Sequence, residues 1–184
     1  MKNLEHTQKS LEKFRDYVIE QSRKNLKQGG RYGTYNSSGK LSESIKGNVK
    51  ASKNSFALDF DMTMYGQFQD KGVKGSNPSA VKNGVQKAPN SPFSFKKSMI
   101  STKALDGWVV KKGLAPRNKE GKFESRNGLK FALAKSIASQ GLRPSLFFTK
   151  AFEQGYKKYI DKDLIKEFGL DVEDLMKYSL KDIQ

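Results

Sequence analysis

A short run of alternating residues indicates an α+β fold: Ser55-Phe56-Ala57-Leu58-Asp59-Phe60-Asp61-Met62. Its large apolar side chains fall at every second position, with alanine and aspartate between them. Successive side chains of a β-strand point to opposite faces, so this spacing predicts a strand with one buried and one solvated face. Residues 48–53 read as a second strand, joined to the first through a Lys53-Asn54 turn.

Helical patterns lie on both sides of these two strands. Residues 3–28 form a long helix whose apolar stripe consists of Leu4, Leu11, Phe14, Val18 and Leu26. We predict further helices at 64–68, 96–112, 128–139, 147–160 and, as one or two short amphipathic segments, 161–184. The expected fold is a small antiparallel or mixed sheet packed by the long N-terminal helix and a C-terminal helix, with long basic loops at Lys71–Pro92 and Lys111–Asn127.

The charge of the chain is high and uneven. Lysine and arginine total 35 against 19 aspartates and glutamates, a formal net charge of +16. Residues 161–184 carry seven acidic groups against four lysines, or −3, which leaves +19 for residues 1–160. A protein with this much positive charge attracts polyanions or acidic proteins. The candidate polyanion contacts are Lys111, Lys112, Arg117, Lys119, Lys122 and Arg126.

Residues for common catalytic chemistry are scarce. There is no cysteine, and the single histidine, His6, lies in a charged N-terminal segment. Zinc sites, Cys–His pairs and Ser–His–Asp triads therefore lack the necessary residues. No phosphate-binding glycine motif occurs between a strand and a helix. We expect no enzymatic activity, no cofactor, no leader peptide and no membrane segment.

Two other functional interpretations remain. Asp59 and Asp61, with Glu43 before them, could hold Mg²⁺ in a nuclease, although strand alternation alone predicts polar residues there. From Lys71 to Lys158 there are 19 basic and four acidic residues. The aromatic residues among them are Phe93, Phe95, Trp108 and Phe123. That pattern is typical of nucleic-acid-binding accessory proteins, and also of a core surrounded by solvated lysines.

Four motifs in order resemble the tail-completion, or head–tail joining, proteins of tailed bacteriophages. The first two are a "small-Gly-x-Leu-x-x-Ser-Ile" element at Ser38–Ile45 and, after the two strands, a "Tyr-x-x-Phe-x-x-x-Gly" element at Tyr65–Gly72. The third is an "aromatic-Ala-x-Ala-x-x-Ile-x-x-x-Gly" helix at Phe131–Gly141. The fourth is an "Arg-Pro-x-x-Phe" arm at Arg143–Phe147 that leads into a helix.

The resemblance implies a structural domain over residues 1–160 with a long insertion at about 73–128, followed by an acidic helical extension at 161–184. It implies a virion protein assembled in the host cytoplasm, in a ring of six or twelve copies at the head–tail connector. Its expected partners are portal or adaptor ring proteins, tail proteins and DNA in the channel. The candidate interface residues are Tyr65, Phe68, Arg143, Pro144, Phe147 and Phe148.

Overall fold

The computed structural model describes residues 5–29, 35, 38–52, 55–77 and 84–181. In these ranges the elements are α1 (Glu5–Gln28), α2 (Lys40–Ser44), β1 (Lys46–Ser52), β2 (Ser55–Asp61), α3 (Tyr65–Lys71), β3 (Val73–Lys74), α4 (Asp106–Lys111), α5 (Arg126–Gln140), β4 (Gly141–Leu142), α6 (Phe147–Gly155) and α7 (Ile165–Lys181). A 3-10 turn at Thr102–Leu105 precedes α4, and a π-helical segment at Tyr156–Leu164 joins α6 to α7.

The chain divides into two compact units. The first unit comprises Met1–Gln28, Gly39–Thr63 and Phe147–Gln184. The second unit comprises Gly29–Ser38 and Met64–Leu146. The first unit joins a hairpin to helices from both ends of the sequence, which confirms the expected α+β fold with a small antiparallel sheet packed by terminal helices.

The hairpin of the first unit packs its apolar face on α1. β1 and β2 are antiparallel, with Asn48 opposite Asp59 and Gly47 opposite Phe60, and the predicted turn lies outside the described residues. The Phe60 ring meets Phe14 of α1 edge to face, with centroids 6.2 Å apart. The predicted alternation holds at Leu58 and Phe60, which are half-buried, while Asp59 and Asp61 are exposed. It fails at Phe56, whose side chain is 41% exposed.

The buried face of α1 confirms the predicted stripe and adds small polar residues to it. Leu11, Phe14, Val18 and Leu26 are buried, whereas Leu4 lies outside the described residues. Thr7, Ser10 and Ser22 are also buried on this helix. The Thr7 hydroxyl donates to the Asp171 carboxylate at 2.6 Å, and the Ser10 hydroxyl donates to the Tyr159 carbonyl at 3.4 Å.

The C-terminal helix does not end near Ile160 as predicted. It continues through the wider turns of the π-helical segment into α7, which ends at Lys181. Residues 156–164 contain neither glycine nor proline, so the sequence offers no residue to stop the helix. α6 also packs on α1, where the Phe14 and Phe152 rings lie 5.3 Å apart.

The second unit begins with α3 and a two-stranded ladder. β3 and β4 pair antiparallel, with Lys74 opposite Gly141. The predicted helix at 96–112 is wrong over its first half, since only the 3-10 turn and α4 are helical there. The residues just before this stretch pair with β3, because the Phe95 backbone N–H donates to the Lys74 carbonyl at 3.0 Å. α5 begins two residues earlier than predicted, because the Ser125 side chain caps it.

Candidate functional site

The carboxylates considered for a nuclease lie on exposed parts of the first unit. Asp59 and Asp61 face solvent on β2, and Asp61 accepts a hydrogen bond from the Asn48 side-chain amide at 3.3 Å. Glu43 is exposed on α2. Among the described residues, no three His, Cys, Asp or Glu side chains are grouped so that they could hold a metal ion.

His6 has structural partners. Its backbone N–H donates to the Asp171 carboxylate at 3.1 Å, and its imidazole Nδ1 lies 3.5 Å from a Glu167 carboxylate oxygen. Both partners belong to α7. The single histidine of the chain thus contributes to the packing of α1 against α7.

Three of the four motifs that carry the sequence resemblance meet in the second unit. The backbone N–H and the hydroxyl of Ser145, in the Arg-Pro arm, both donate to the Gln69 carbonyl at 3.0 and 2.7 Å. The Leu146 N–H donates to the Asp70 carbonyl at 3.1 Å. We call this region, residues 69–74 and 141–146, the motif junction.

Gly72 occupies a position in the motif junction that no side chain can fill. Its φ is +71°, and a Cβ atom there would lie 2.5 Å from the Leu142 carbonyl oxygen and 2.8 Å from the Pro144 nitrogen. The Gly72 carbonyl accepts a hydrogen bond from the buried Ser91 hydroxyl at 2.7 Å. The glycine of the Tyr65–Gly72 element is therefore explained by backbone conformation and by close packing.

The six candidate interface residues fall into different environments. Tyr65 is 55% exposed and Arg143 is exposed, so both present side chains to solvent. Phe68 packs edge to face on Phe93 at 4.7 Å in the second unit, and Pro144 is half-buried. Phe147 and Phe148 lie in the first unit. Phe147 is 1% exposed, and the ring centroids of Phe148 and Phe60 lie 5.4 Å apart. Phe147 is a core residue, because its side chain is inaccessible to another molecule.

The candidate polyanion contacts surround a small hairpin in the second unit. Pro116–Glu124, which we call the basic hairpin, contains Arg117, Lys119 and Lys122, all exposed. Lys111 and Lys112 precede it at the end of α4, and Arg126 follows it as the first residue of α5. All six predicted cations therefore lie in one short segment of the chain, on the basic hairpin or next to it.

Internal hydrogen bonds fix the shape of the basic hairpin. The Glu124 N–H donates to the Pro116 carbonyl at 2.9 Å, and the Asn118 N–H donates to the Lys122 carbonyl at 2.9 Å. The Asn118 side-chain oxygen accepts from the N–H groups of Glu120 and Lys122 at 3.0 and 2.9 Å. An asparagine that closes its own turn in this way preorganises the loop.

A small apolar cluster lies between the two helices that flank the basic hairpin. Its buried members are Leu105, Val109 and Ala134, which belong to the 3-10 turn, α4 and α5. An ion pair between Lys130 and Asp106 also links α5 to α4. The helices on either side of the hairpin are thus joined to each other.

The four aromatic residues considered for nucleic-acid binding are not equivalent. Phe93 packs on Phe68, and the partly buried Trp108 packs against the apolar cluster. Phe95 is half-buried. Phe123 is 69% exposed, and the Arg117 guanidinium lies over its ring, 4.0 Å from the centroid. Of the four, Phe123 has the most exposed side chain.

Asp171 is a structural residue that the sequence did not reveal. Asp171 is only 4% exposed. Its carboxylate accepts a hydrogen bond from the backbone N–H of Thr7, in the first turn of α1 and 164 residues earlier in the chain. Nothing in the local sequence distinguishes Asp171 from the more accessible acids around it. Only the periodicity of α7, which turns this position inward, could have suggested its burial.

No helix in the part of the chain that the structure describes is both long enough and apolar enough to cross a membrane. No protein-family model, curated protein or solved structure matches the chain.

Proposed function

We propose that the chain is a structural protein of a tailed bacteriophage, a subunit of the ring at the head–tail connector. It would assemble in the host cytoplasm into a ring of six or twelve copies, between portal or adaptor ring proteins and tail proteins. The tail would attach to this ring, and DNA would pass through it. The observation that carries the proposal is the motif junction, where the Arg143–Phe147 arm donates backbone hydrogen bonds to the Tyr65–Gly72 element. Gly141, which ends the third motif, pairs with Lys74 just after that element.

The motif junction also explains how a long segment fits into a small domain. The chain leaves β3 after Lys74 and returns at Gly141, which is the residue paired with it. A segment whose two ends are adjacent can be lengthened at little entropic cost to the rest of the fold. The long stretch between these residues is therefore compatible with the compact family pattern that the motifs resemble.

Exposed apolar side chains of the second unit suit a subunit that is covered by neighbours. Met64 is 76% exposed at the start of α3, next to the exposed Tyr65. Val110 and Phe131 are also more than half exposed in the second unit. Aromatic residues and methionine are enriched where proteins meet, so these exposed side chains support the proposal of a neighbouring subunit.

Electron microscopy of particles made without this chain tests the proposal. We expect DNA-filled heads and separate tails, since the missing ring would leave the tail without an attachment surface. Supplying the wild-type chain from a plasmid should restore tailed, infectious particles. A normal yield of tailed particles in the absence of the chain would overturn the proposal.

A further inference from the structure

The positive charge of the chain is concentrated in one unit. In the second unit, 17 basic and four acidic residues give a net charge of +13. In the first unit, 18 basic and 15 acidic residues give +3. A polyanion is therefore drawn to the second unit, which also contains the basic hairpin.

The basic hairpin offers a flat surface as well as charge. The Arg117 guanidinium is held over Phe123 by a hydrogen bond from its Nη1 to the Gly121 carbonyl at 2.9 Å. The Phe123 side chain remains 69% exposed with Arg117 in place. Nucleic-acid bases stack on aromatic rings and on guanidinium planes, and every base has a face that can do so.

We propose that the basic hairpin binds single-stranded nucleic acid. An unpaired base stacks on the Arg117–Phe123 pair, and adjacent phosphates lie against Lys119, Arg126 and Lys122. Lys122 exchanges its exposed ion pair with Glu120 for the phosphate. This inference goes beyond the proposed function, because a hairpin that holds a single strand requires no ring. Since the hairpin is fixed by its own hydrogen bonds, it loses little conformational entropy when it binds.

The geometry favours an unpaired strand over the other polyanions. The bases of duplex DNA are stacked on one another. A duplex would therefore contact the lysines through its phosphates, and none of its bases would stack on Phe123. An acidic protein surface would likewise use the charges alone. An exposed aromatic ring beneath an arginine is explained by a ligand that has flat apolar faces between its charges.

Fluorescence anisotropy with the purified full chain tests this inference. The probes are a labelled oligodeoxythymidine, a duplex of equal length and poly-L-glutamate. We expect the single strand to bind most tightly. Phe123→Ala should weaken single-strand binding about tenfold while leaving its salt dependence unchanged, and Phe123→Trp should preserve it. Phe131→Ala, which removes a 54% exposed ring from α5, is the matched control and should bind as wild type.

The lysines are tested separately. The double variant Lys119→Gln/Lys122→Gln should weaken binding of all three probes. It should also reduce the slope of log affinity against log salt for the single strand by about 1.4, since each phosphate contact contributes about 0.7. Equal binding of Phe123→Ala and wild type to the single strand, or tighter binding of the duplex or of polyglutamate, would overturn the inference. The particle experiment is unaffected by either result, because this assay involves no ring.

Discussion

The carboxylate of Asp171 accepts hydrogen bonds from both the backbone N–H and the hydroxyl of Thr7, at 2.8 and 2.6 Å. The N–H of His6 donates to the other carboxylate oxygen. The first N–H groups of a helix have no partner within the helix, and the helix dipole favours a negative charge beside them. α7 thus caps α1, which gives a structural role to part of the acidic C-terminal segment.

Asp171→Asn should lower the free energy of unfolding by about 1–2 kcal/mol, because the carboxamide loses the charge and has one acceptor oxygen in place of two. Urea denaturation measures the change. The control is Asp163→Asn, which removes the same charge from an exposed residue of the neighbouring π-helical segment and should be close to neutral. Equal effects of the two substitutions would show that the cap does not stabilise the fold.

The cap should also weaken in acid. Burial is the largest single influence on the pKa of Asp171 and raises it, but the hydrogen bonds from Thr7 and His6 together outweigh burial and leave the pKa below its ordinary value of 3.8. Because the folded pKa is depressed, the stabilisation is complete above about pH 4 and is lost as the pH falls through the folded value. The stability difference between wild type and Asp171→Asn should therefore shrink below about pH 4. A difference that stayed constant in urea titrations down to pH 2 would contradict this account.

Gly72→Ala should disrupt the motif junction. The substitution places a methyl group against the backbone of Leu142 and Pro144 at a positive φ, so we expect a loss of at least about 3 kcal/mol. Gly84→Ala is a matched control, since Gly84 also has a positive φ of +65° but has no atom within 4 Å of the added methyl. It should cost about 1 kcal/mol. Thermal unfolding that shows similar losses for both variants would exclude a packing role for Gly72.

Two helical glycines should respond to alanine with opposite signs. An added Cβ at Gly155 would lie 2.9 Å from ring carbons of both Phe14 and Tyr17, so Gly155→Ala should destabilise the first unit by about 1–2 kcal/mol. Gly169 in α7 has open space around it, and Gly169→Ala should stabilise the helix by about 0.5–1 kcal/mol. Guanidinium denaturation measures both. A gain in stability from Gly155→Ala would mean that α6 does not pack closely on α1.

The sequence predicted the parts of the fold that depend on local periodicity. The α1 stripe and the alternation of β2 are visible in the residues themselves. The stripe is buried as expected, and β2 alternates as expected from Leu58 to Asp61. The continuous C-terminal helix was not predictable in the same way, because the long α6–α7 helix is supported by contacts with α1 that are distant in sequence. The irregular backbone before α4 likewise depends on a distant partner, the carbonyl of Lys74.

The candidate site was predictable in composition but not in geometry. Counting charges located the cations of the basic hairpin, yet it could not distinguish the exposed Phe123 from the partly buried Trp108. That difference arises because Trp108 lies on α4 and packs against the apolar cluster shared with α5, whereas Phe123 lies on a hairpin outside that cluster. Similarly, Phe147 and Tyr65 both read as interface residues, and only Tyr65 is exposed.

Quantitative mass spectrometry of purified phage particles, with tailless heads as the comparison, tests the central claim most directly. A connector subunit should be present in complete particles at six or twelve copies for each particle, measured against a coat protein of known copy number. If the chain is abundant in infected cells but absent from complete particles, the structural proposal is wrong.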